Sequence, residues 1–245
     1  MKLSVVIPVF NEVKTIDKIV DRVIKEKTLK EVIIVDDGST DGTWEEIKAQ
    51  RSKISRACFS EIKDQKTLKI FRNERNLGKG AAVREGIKEA KGDILIIQDA
   101  DLEYDPKYYS ELLAPIIANK TQVVYGSRLK TMKLTFWGKN KTPLPLHYLA
   151  NRFLSAITNF LYGSKLTDME TCYKVMTKEI YQNLNLVSDR FEIEPEITAK
   201  ILKKGYRIYE VPITTKPRSY KEGKKIKAKD TFLALFTLFK YLVIK

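Results

Sequence analysis

Histidine and cysteine are almost missing from this chain, with one histidine, His147, and two cysteines, Cys58 and Cys172, in 245 residues. The first scarcity excludes a multi-histidine metal site and leaves any histidine chemistry to one residue in a proline-flanked loop, where a structural role is expected. The second excludes a disulfide framework. With no Cys/His cluster beside either cysteine, a zinc site is not indicated, and a reducing, cytoplasmic setting is the expectation. Long apolar runs are missing too. The greasiest stretch, Phe232-Leu233-Ala234-Leu235-Phe236-Thr237-Leu238-Phe239, is followed by Lys240 and falls short of the roughly 20 residues a membrane-spanning helix needs. Met1-Lys2 leads directly into a strand pattern, so no separate targeting segment is expected. Acid is in deficit as well, with 31 Asp and Glu against 45 Lys and Arg and a net charge of +14.

What the chain does have is a series of apolar strand patterns that end in polar residues. Strands are predicted near 3–9, 31–36, 67–72, 93–98 and 122–126 with helical patterns between them, which is a parallel, doubly wound α/β plan. The length fits one large domain with an appendage. Ile94-Leu95-Ile96-Ile97 runs into Asp99-Ala100-Asp101, followed by Leu102 and Glu103, and parallel sheets place ligands outside the carboxyl ends of their strands. Oxygen ligands alternating along the chain suit a hard cation such as Mg²⁺ or Mn²⁺. Taken alone, an acidic tripeptide reads equally as a solvated loop capping the next helix. Its context is a second strand, Val32-Ile33-Ile34-Val35, which ends in Asp36-Asp37-Gly38. There glycine permits a tight turn, and carboxylates can accept from the N–H and O–H groups of a base or ribose. A third strand, at the N-terminus, ends in Pro8-Val9-Phe10-Asn11-Glu12. Gly78-Lys79-Gly80 lacks both common phosphate-loop spacings and is read as a helix start near a nucleotide. The basic stretch 51–66 is longer than a tight connection needs and is read as a helix extension or an insertion.

These segments have a characteristic order: Val5-Val6-Ile7-Pro8 with Asn11-Glu12, the acidic turn from Val35 to Thr43, Asn76-Leu77-Gly78-Lys79-Gly80, Asp99-Ala100-Asp101-Leu102-Glu103, and Gly126-Ser127-Arg128. Asp168-Met169-Glu170-Thr171-Cys172-Tyr173-Lys174, Phe191-Glu192-Ile193-Glu194-Pro195-Glu196 and Tyr209-Glu210-Val211-Pro212-Ile213 follow. In that order and spacing the chain resembles the family 2 glycosyltransferases of the GT-A type, and among them the polyprenyl-phosphate sugar synthases typified by dolichyl-phosphate mannose synthase. The resemblance implies a GT-A nucleotide-diphospho-sugar transferase fold, with a mostly parallel central sheet flanked by helices. It implies an enzyme that moves a hexose from GDP-mannose or UDP-glucose to a polyprenyl phosphate with Mg²⁺ or Mn²⁺. It assigns Asp101 and Glu103 as metal ligands and Asp99 as a further metal or sugar contact. Pro8, Glu12 and Asp37, with Asp36 as a partner and Lys79 beside them, would hold the nucleotide sugar. Arg128, Arg152, Arg218 and Lys224 would bind the phosphates of donor and acceptor. Asp101, Arg128 and Asp168 form the implied catalytic group, Asp168 serving as base for a hydroxyl acceptor or as organiser for a phosphate one. A polyprenyl phosphate is largely a dianion at neutral pH and needs no base. Direct displacement inverts the anomeric centre, giving a β-linked product from an α-linked donor.

On this reading residues 1–128 form the nucleotide-sugar and metal half, 129–215 the acceptor half, and 216–245 a basic loop plus an amphipathic helix. Residues 129–146 are read as a mobile loop over the site, and the apolar side of a helix over 147–163 (Tyr148, Leu149, Phe153, Ile157, Phe160, Leu161) is expected in the core. Between Lys216 and Lys229 seven basic residues face one acid, Glu222, ahead of the greasy stretch. That end is expected either to lie on an anionic bilayer as a peripheral anchor or to pack on the catalytic domain. The tryptophan and glycine usual in the family's C-terminal motif are replaced around Lys225–Thr231, which weakens the membrane-docking expectation. A soluble saccharide is the alternative acceptor. Nucleic-acid binding, the rival from another class, is disfavoured because no recognised signature is present and acidic strand ends would repel a phosphate backbone.

Overall fold

The computed structural model describes residues 1–58, 67–132, 134, 135, 137, 142, 144–218 and 228–244, with the backbone alone at 55–58 and 228. Runs of β-branched and aliphatic residues make the centre. Strands β1 (Leu3–Val9), β2 (Leu29–Asp36) and β4 (Ile94–Ile97) are buried almost throughout, as expected of parallel strands covered on both faces. With β3 (Thr67–Arg72), β5 (Val123–Ser127), β6 (Lys174–Thr177) and β7 (Ile208–Pro212) they form one seven-stranded sheet in the order β3-β2-β1-β4-β6-β5-β7. The predicted strands are all present. The departure from a purely parallel plan is β6, which lies antiparallel between β4 and β5, pairing Ile96 with Val175 on one side and Val124 with Val175 on the other.

That reversal positions the site. Parallel strands deliver the residues that follow them to the carboxyl edge of the sheet, whereas an antiparallel strand delivers the residues that precede it. Asp168–Tyr173, just ahead of β6, therefore arrives at the same edge as Asp36-Asp37, Asp99–Glu103 and Arg128.

Helix α1 (Ile16–Val23) turns Ile16, Ile19, Val20 and Val23 into the core, and α2 (Thr43–Cys58) extends the first part of the long 51–66 stretch as helix, the remainder lying outside the described residues. Helix α3 (Lys79–Glu89) packs on β1 at Gly86 and against the backbone of Ser188–Arg190 at Gly80. A Cβ on Gly86 would collide with the Val6 side chain, which is fully buried. A three-residue 3₁₀ turn (Pro106–Tyr108) and α4 (Tyr109–Ile117) follow β4, and α6 (Lys178–Gln182) follows β6.

Three helices make a second, smaller core beside the sheet. Helix α5 (Pro145–Tyr162) opens with proline at its first turn and ends on Gly163 in the left-handed conformation. It packs with α7 (Ile193–Lys203) and α8 (Ala228–Val243) around Leu154, Met169, Ala199, Ala234, Leu238 and Tyr241. The Tyr162 hydroxyl donates to the Leu238 carbonyl at 2.6 Å and the Tyr241 hydroxyl to Glu196 at 2.8 Å, pinning α8 to both neighbours. The expected inward face of α5 is corrected here. Ile157 and Leu161 pack inward with Leu154, Ser155 and Thr158, while Leu149, Phe153 and Phe160 point outward, Phe160 being 83% exposed. Helix α8 divides in the same way, with Phe232 73% and Phe236 67% exposed opposite its docked face. Among the described residues no helix is long and apolar enough to cross a membrane.

The Gly86–Val6 contact yields a test of the packing. Gly86→Ala gains helix propensity of up to about 1 kcal/mol but overpacks by about 1–3 kcal/mol. A net loss of stability, seen as a melting temperature lower by roughly 2–4 °C per kcal/mol, is expected in thermal denaturation; an unchanged or raised midpoint would show that α3 can retreat from β1 at no cost.

Candidate functional site

The carboxyl edge of the sheet opens into a cleft of about 300 Å³. Its lining follows the strand order. Asp37 and Asn76 come from the β2 side, and Pro8, Val9, Phe10 and Glu12 from β1. Asp99, Ala100, Asp101, Glu103 and Tyr104 follow β4, Glu170 and Cys172 precede β6, and Arg128 follows β5. Lys79 of α3, Phe191 just ahead of α7, Glu194 of α7 and Arg218 from the segment after β7 close it.

At the β2 end the two acids of the turn divide their work. Asp36 is fully buried outside the cleft lining, accepting from Ser39 N at 3.2 Å and lying 3.2 Å from Arg72 Nε. Burial pushes its carboxyl up, against the pull of Ser39 and Arg72. Asp37 lines the cleft, but its oxygens accept from Asn73 Nδ2 (2.8 Å), Leu77 N (2.9 Å) and Gly78 N (2.7 Å), so it orders the loop that leads into α3. Gly38, at φ +74°, is where that loop comes closest, and a Cβ there would strike the backbone of Arg75 and Asn76. Asn11 ties the β1 loop to this turn, its N–H donating to Ser39 Oγ at 2.8 Å and its side-chain oxygen accepting from Thr40 N at 2.9 Å.

In the centre, Asp101 accepts from Glu103 N at 3.0 Å in a tight turn that places Leu102 at φ +63°. Buried Gln98 supports it, donating to the carbonyls of Asp99 and Tyr104 and accepting from the hydroxyls of Tyr109 and Tyr173, each at 2.8 Å. Arg218 reaches into this group. Its guanidinium meets Glu12 with two bonds of 3.1 Å and Asp101 at 2.8 Å and lies 3.7 Å from Glu103, while its own N–H donates to Glu103 Oε1 at 3.0 Å. Burial, followed by the charges of Asp99 and Glu103, raises the Asp101 carboxyl to about 7.

The three acids expected to hold a metal are thus not gathered as one cage, and no group of three or more ligating side chains is preformed among the described residues. Asp99 turns instead to Lys79, whose Nζ lies 2.8 Å from it and 2.9 Å from Glu194. Asp101 and Glu103 share Arg218. One or two carboxylates completed by substrate phosphates is nonetheless the usual way a protein holds Mg²⁺, and these two already converge on a cation.

At the β5–β6 end Arg128 is locked. Its Nε and its other guanidinium contact each lie 2.7 Å from one oxygen of Asp168, and its backbone N–H donates to Asp168 at 2.9 Å. The guanidinium also lies over Tyr104, 5.8 Å from the ring centre. Asp168 is fully buried and does not line the cleft; both its oxygens are spent on Arg128. Glu170, two residues on, does line the cleft, and its Oε1 is buried without a hydrogen-bond partner. Burial raises its carboxyl to about 7, with Lys174 and Arg128 opposing and Glu194 and Asp168 adding to the shift. Cys172 is buried beside it, and burial drives its thiol well above the ordinary range, away from thiolate chemistry.

Of the residues predicted from the sequence, Pro8, Glu12, Asp37, Lys79, Asp99, Asp101, Glu103, Arg128 and Arg218 come together around the cleft. Asp36 and Asp168 stand directly behind it. Arg152 does not join them; it lines a separate shallow hollow on α5 with Ser155, Asn159, Lys165 and Thr167. His147 sits in the first turn of α5, outside the cleft lining. Lys224 lies outside the described residues. Tyr104, Glu170 and Glu194 were not singled out from the sequence. The signal available for the two glutamates was their place inside acid-bearing motifs, Asp168–Lys174 and Phe191–Glu196.

Among known proteins, a dolichol-phosphate mannosyltransferase of Pyrococcus furiosus is 29% identical over 240 residues, 95% of this chain and 61% of that protein. A dodecaprenyl-phosphate galacturonate synthase of Rhizobium johnstonii is 27% identical over 228 residues, 91% of this chain and 62% of that protein. The chain therefore spans less than two thirds of the length of either relative. The structure of glucosyl-3-phosphoglycerate synthase from Mycobacterium tuberculosis with Mn²⁺, UDP and glucosyl-3-phosphoglycerate covers 100% of this chain and 81% of its own at a TM-score of 0.71 and 20% identity, which is a likeness of fold. The family model for glycosyl transferase family 2 matches residues 4–184; the chain belongs to that family and is a glycosyltransferase of GT-A fold.

Proposed function

We propose that this protein transfers a neutral hexose, mannose or glucose, from its nucleoside diphosphate to a polyprenyl phosphate at a membrane surface, by a single inverting displacement. The observation that carries the reading is the order of chemistry along the cleft: hydrogen-bonding groups around Glu12, Asp37 and Asn76 at one end, acids in the middle, and a fixed arginine at the other. A nucleotide sugar laid along it has its base near Pro8 and Glu12, its diphosphate at Asp101 and Glu103, and its sugar between Tyr104, Glu170 and Arg128. The names of the Pyrococcus and Rhizobium relatives support a polyprenyl-phosphate acceptor.

Each residue then has a task that its geometry supports. Arg128 is held in one orientation by Asp168, so its charge is ready to receive an acceptor phosphate without reorganising. Asp168 acts as organiser, since both its oxygens accept from Arg128 and it lies outside the cleft lining. Arg218 is the internal counter-cation of Glu12, Asp101 and Glu103. Asp101 and Glu103 would hold a Mg²⁺ or Mn²⁺, which would supply charge neutralisation for a departing diphosphate. The raised Asp101 carboxyl supports this fit, because burial first and then the charges of Asp99 and Glu103 disfavour its bare anion, which a nearby cation would stabilise.

The exposed faces of α5 and α8 support peripheral attachment. Phe153, Phe160, Phe232, Phe236 and Phe239 offer apolar area to a bilayer, and the basic stretch 216–229 leads into α8. Each Lys or Arg near an anionic surface adds about 1 kcal/mol.

Transfer of radiolabel from GDP-mannose or UDP-glucose to a short polyprenyl phosphate tests the reaction. Lipid-phase label with a β linkage is expected, and Asp101→Asn should lower it by roughly 100-fold or more, the scale on which single electrostatic contacts to developing charge act. An α-linked product removes the single displacement; label confined to water-soluble saccharide moves the acceptor to that class. Metal binding should also follow pH. Below about 7 Asp101 holds a proton that the ion must expel, so Mn²⁺ affinity measured by the spin resonance of free Mn²⁺ is expected to fall by roughly tenfold per pH unit below that point and to level off above it; a flat profile removes Asp101 from the ligand set. In flotation with anionic vesicles, wild type should bind and Phe232→Glu/Phe236→Glu should bind at least about tenfold more weakly with unchanged melting. Equal binding by the double variant would assign attachment elsewhere.

A further inference from the structure

The acids of the cleft are answered from within the chain with one exception. Glu12, Asp101 and Glu103 have Arg218; Asp99 has Lys79; Asp37 has three N–H donors. Glu194 carries an oxygen without a hydrogen-bond partner, but Lys79 lies 2.9 Å from it and Lys174 2.5 Å from the other oxygen. Glu170 has no ion pair and no hydrogen bond to its buried Oε1 among the described residues. Its nearest cations are committed elsewhere, Lys174 to Glu194 and the carbonyls of Met169 and Thr171, Arg128 to Asp168. A buried acceptor left open in a ligand cleft is completed by a donor on the ligand.

The strand order says which part of the ligand. Glu170 precedes β6, on the far side of β4 from the β1 and β2 loops. With the base at those loops and the diphosphate at Asp101 and Glu103, the group that reaches Glu170 is the sugar, whose hydroxyls are hydrogen-bond donors. We propose that Glu170 is a specificity-determining residue that accepts hydrogen bonds from the hydroxyls of a neutral donor hexose and rejects a sugar bearing its own carboxylate. This rests on the nucleotide-sugar reading of the cleft and deepens it. A uronate placed there would set its own carboxylate against the Glu170 carboxyl, whose buried Oε1 has no hydrogen-bond partner among the described residues. Among the described residues the cations nearest Glu170, Lys174 and Arg128, are already paired, with Glu194 and Asp168. Rejection by an unmatched buried charge is the usual route to large selectivity between substrates of similar shape.

Donor binding separates this role from a structural one. UDP-glucose with UDP-glucuronate, and GDP-mannose with GDP-mannuronate, are pairs that differ only in the carboxylate at C6. Titration calorimetry on the full chain with Mn²⁺ present, for wild type and Glu170→Gln, reads affinity without any acceptor, and UDP or GDP alone reports on the nucleotide anchor. Wild type is expected to favour the neutral member by roughly 100-fold, a preference of the kind that unpaired buried charge produces. Glu170→Gln should cut that preference at least about tenfold while leaving affinity for the bare nucleotide unchanged. An unchanged preference in the variant, or wild type binding both members alike, overturns the proposal and leaves the glycosyltransferase reading in place. No binding of any nucleotide sugar by wild type that melts cooperatively overturns the reading of the cleft itself, and the proposal with it. Should Glu170→Gln fail to fold, Glu170→Asp, which keeps the charge on a shorter stem, is expected to retain rejection of the uronate while weakening the neutral sugar; loss of rejection there counts against the proposal.

Discussion

Seven acids and three cations line one cleft, and keeping that excess of buried negative charge in a folded chain is the constraint on which the remaining arrangement depends. An isolated carboxylate removed from water is costly unless a cation or several donors meet it. The chain meets the demand with long-range pairs: Lys79 from α3 between Asp99 and Glu194, Arg218 from beyond β7 among Glu12, Asp101 and Glu103, and Lys174 from β6 on Glu194. Each pair joins elements far apart in sequence, so neutralising the site and closing the fold are one event. The compensation is incomplete, as the raised carboxyls of Asp101 and Glu170 register.

The antiparallel strand β6 makes this crowding possible. In a purely parallel sheet, every segment reaching the carboxyl edge continues from a strand into a helix, and Asp168–Tyr173 would emerge at the opposite edge. Reversing one strand between β4 and β5 inserts a preceding loop between the acidic turn of Asp99–Glu103 and Arg128. Asp168 can then clamp Arg128 while Glu170 faces the cleft, two residues of one short segment taking opposite directions.

This reversal is also where reading the sequence stops short. The strands β1 to β5 are long or apolar enough that hydrophobic pattern alone locates them, and the acids that end β1, β2 and β4 identify the edge. Lys174–Thr177 is four residues with a lysine at its head, a pattern too short and too polar to reveal a central strand, and its direction depends on pairing with partners about 50 and 80 residues away. The apolar residues of α5 illustrate a different limit. Periodicity shows that a helix has a greasy side, but not whether that side meets protein, and Phe153 and Phe160 meet none of the core. Likewise Asp37 and Asp168 are legible as important acids, whereas the fact that their oxygens are consumed by Gly78 and Arg128 exists only in three dimensions.

The net charge of +14 looks at odds with an acidic cleft until the two are placed. Burial separates them. Most charged lining residues are committed to internal pairs, and the excess of lysine and arginine lies elsewhere in the sequence, where charges exposed to water are screened over about 8 Å at physiological salt. The cleft therefore keeps an excess of carboxylates, seven against three cations among its lining, although the chain as a whole is basic. Were the same charges mixed in one site, lysines would quench the acids and leave no place for a metal. Behind the cleft surface Lys174 and Asp168 are fully buried, each holding a partner that lines the cleft, Glu194 and Arg128, while Arg218 stands among Glu12, Asp101 and Glu103.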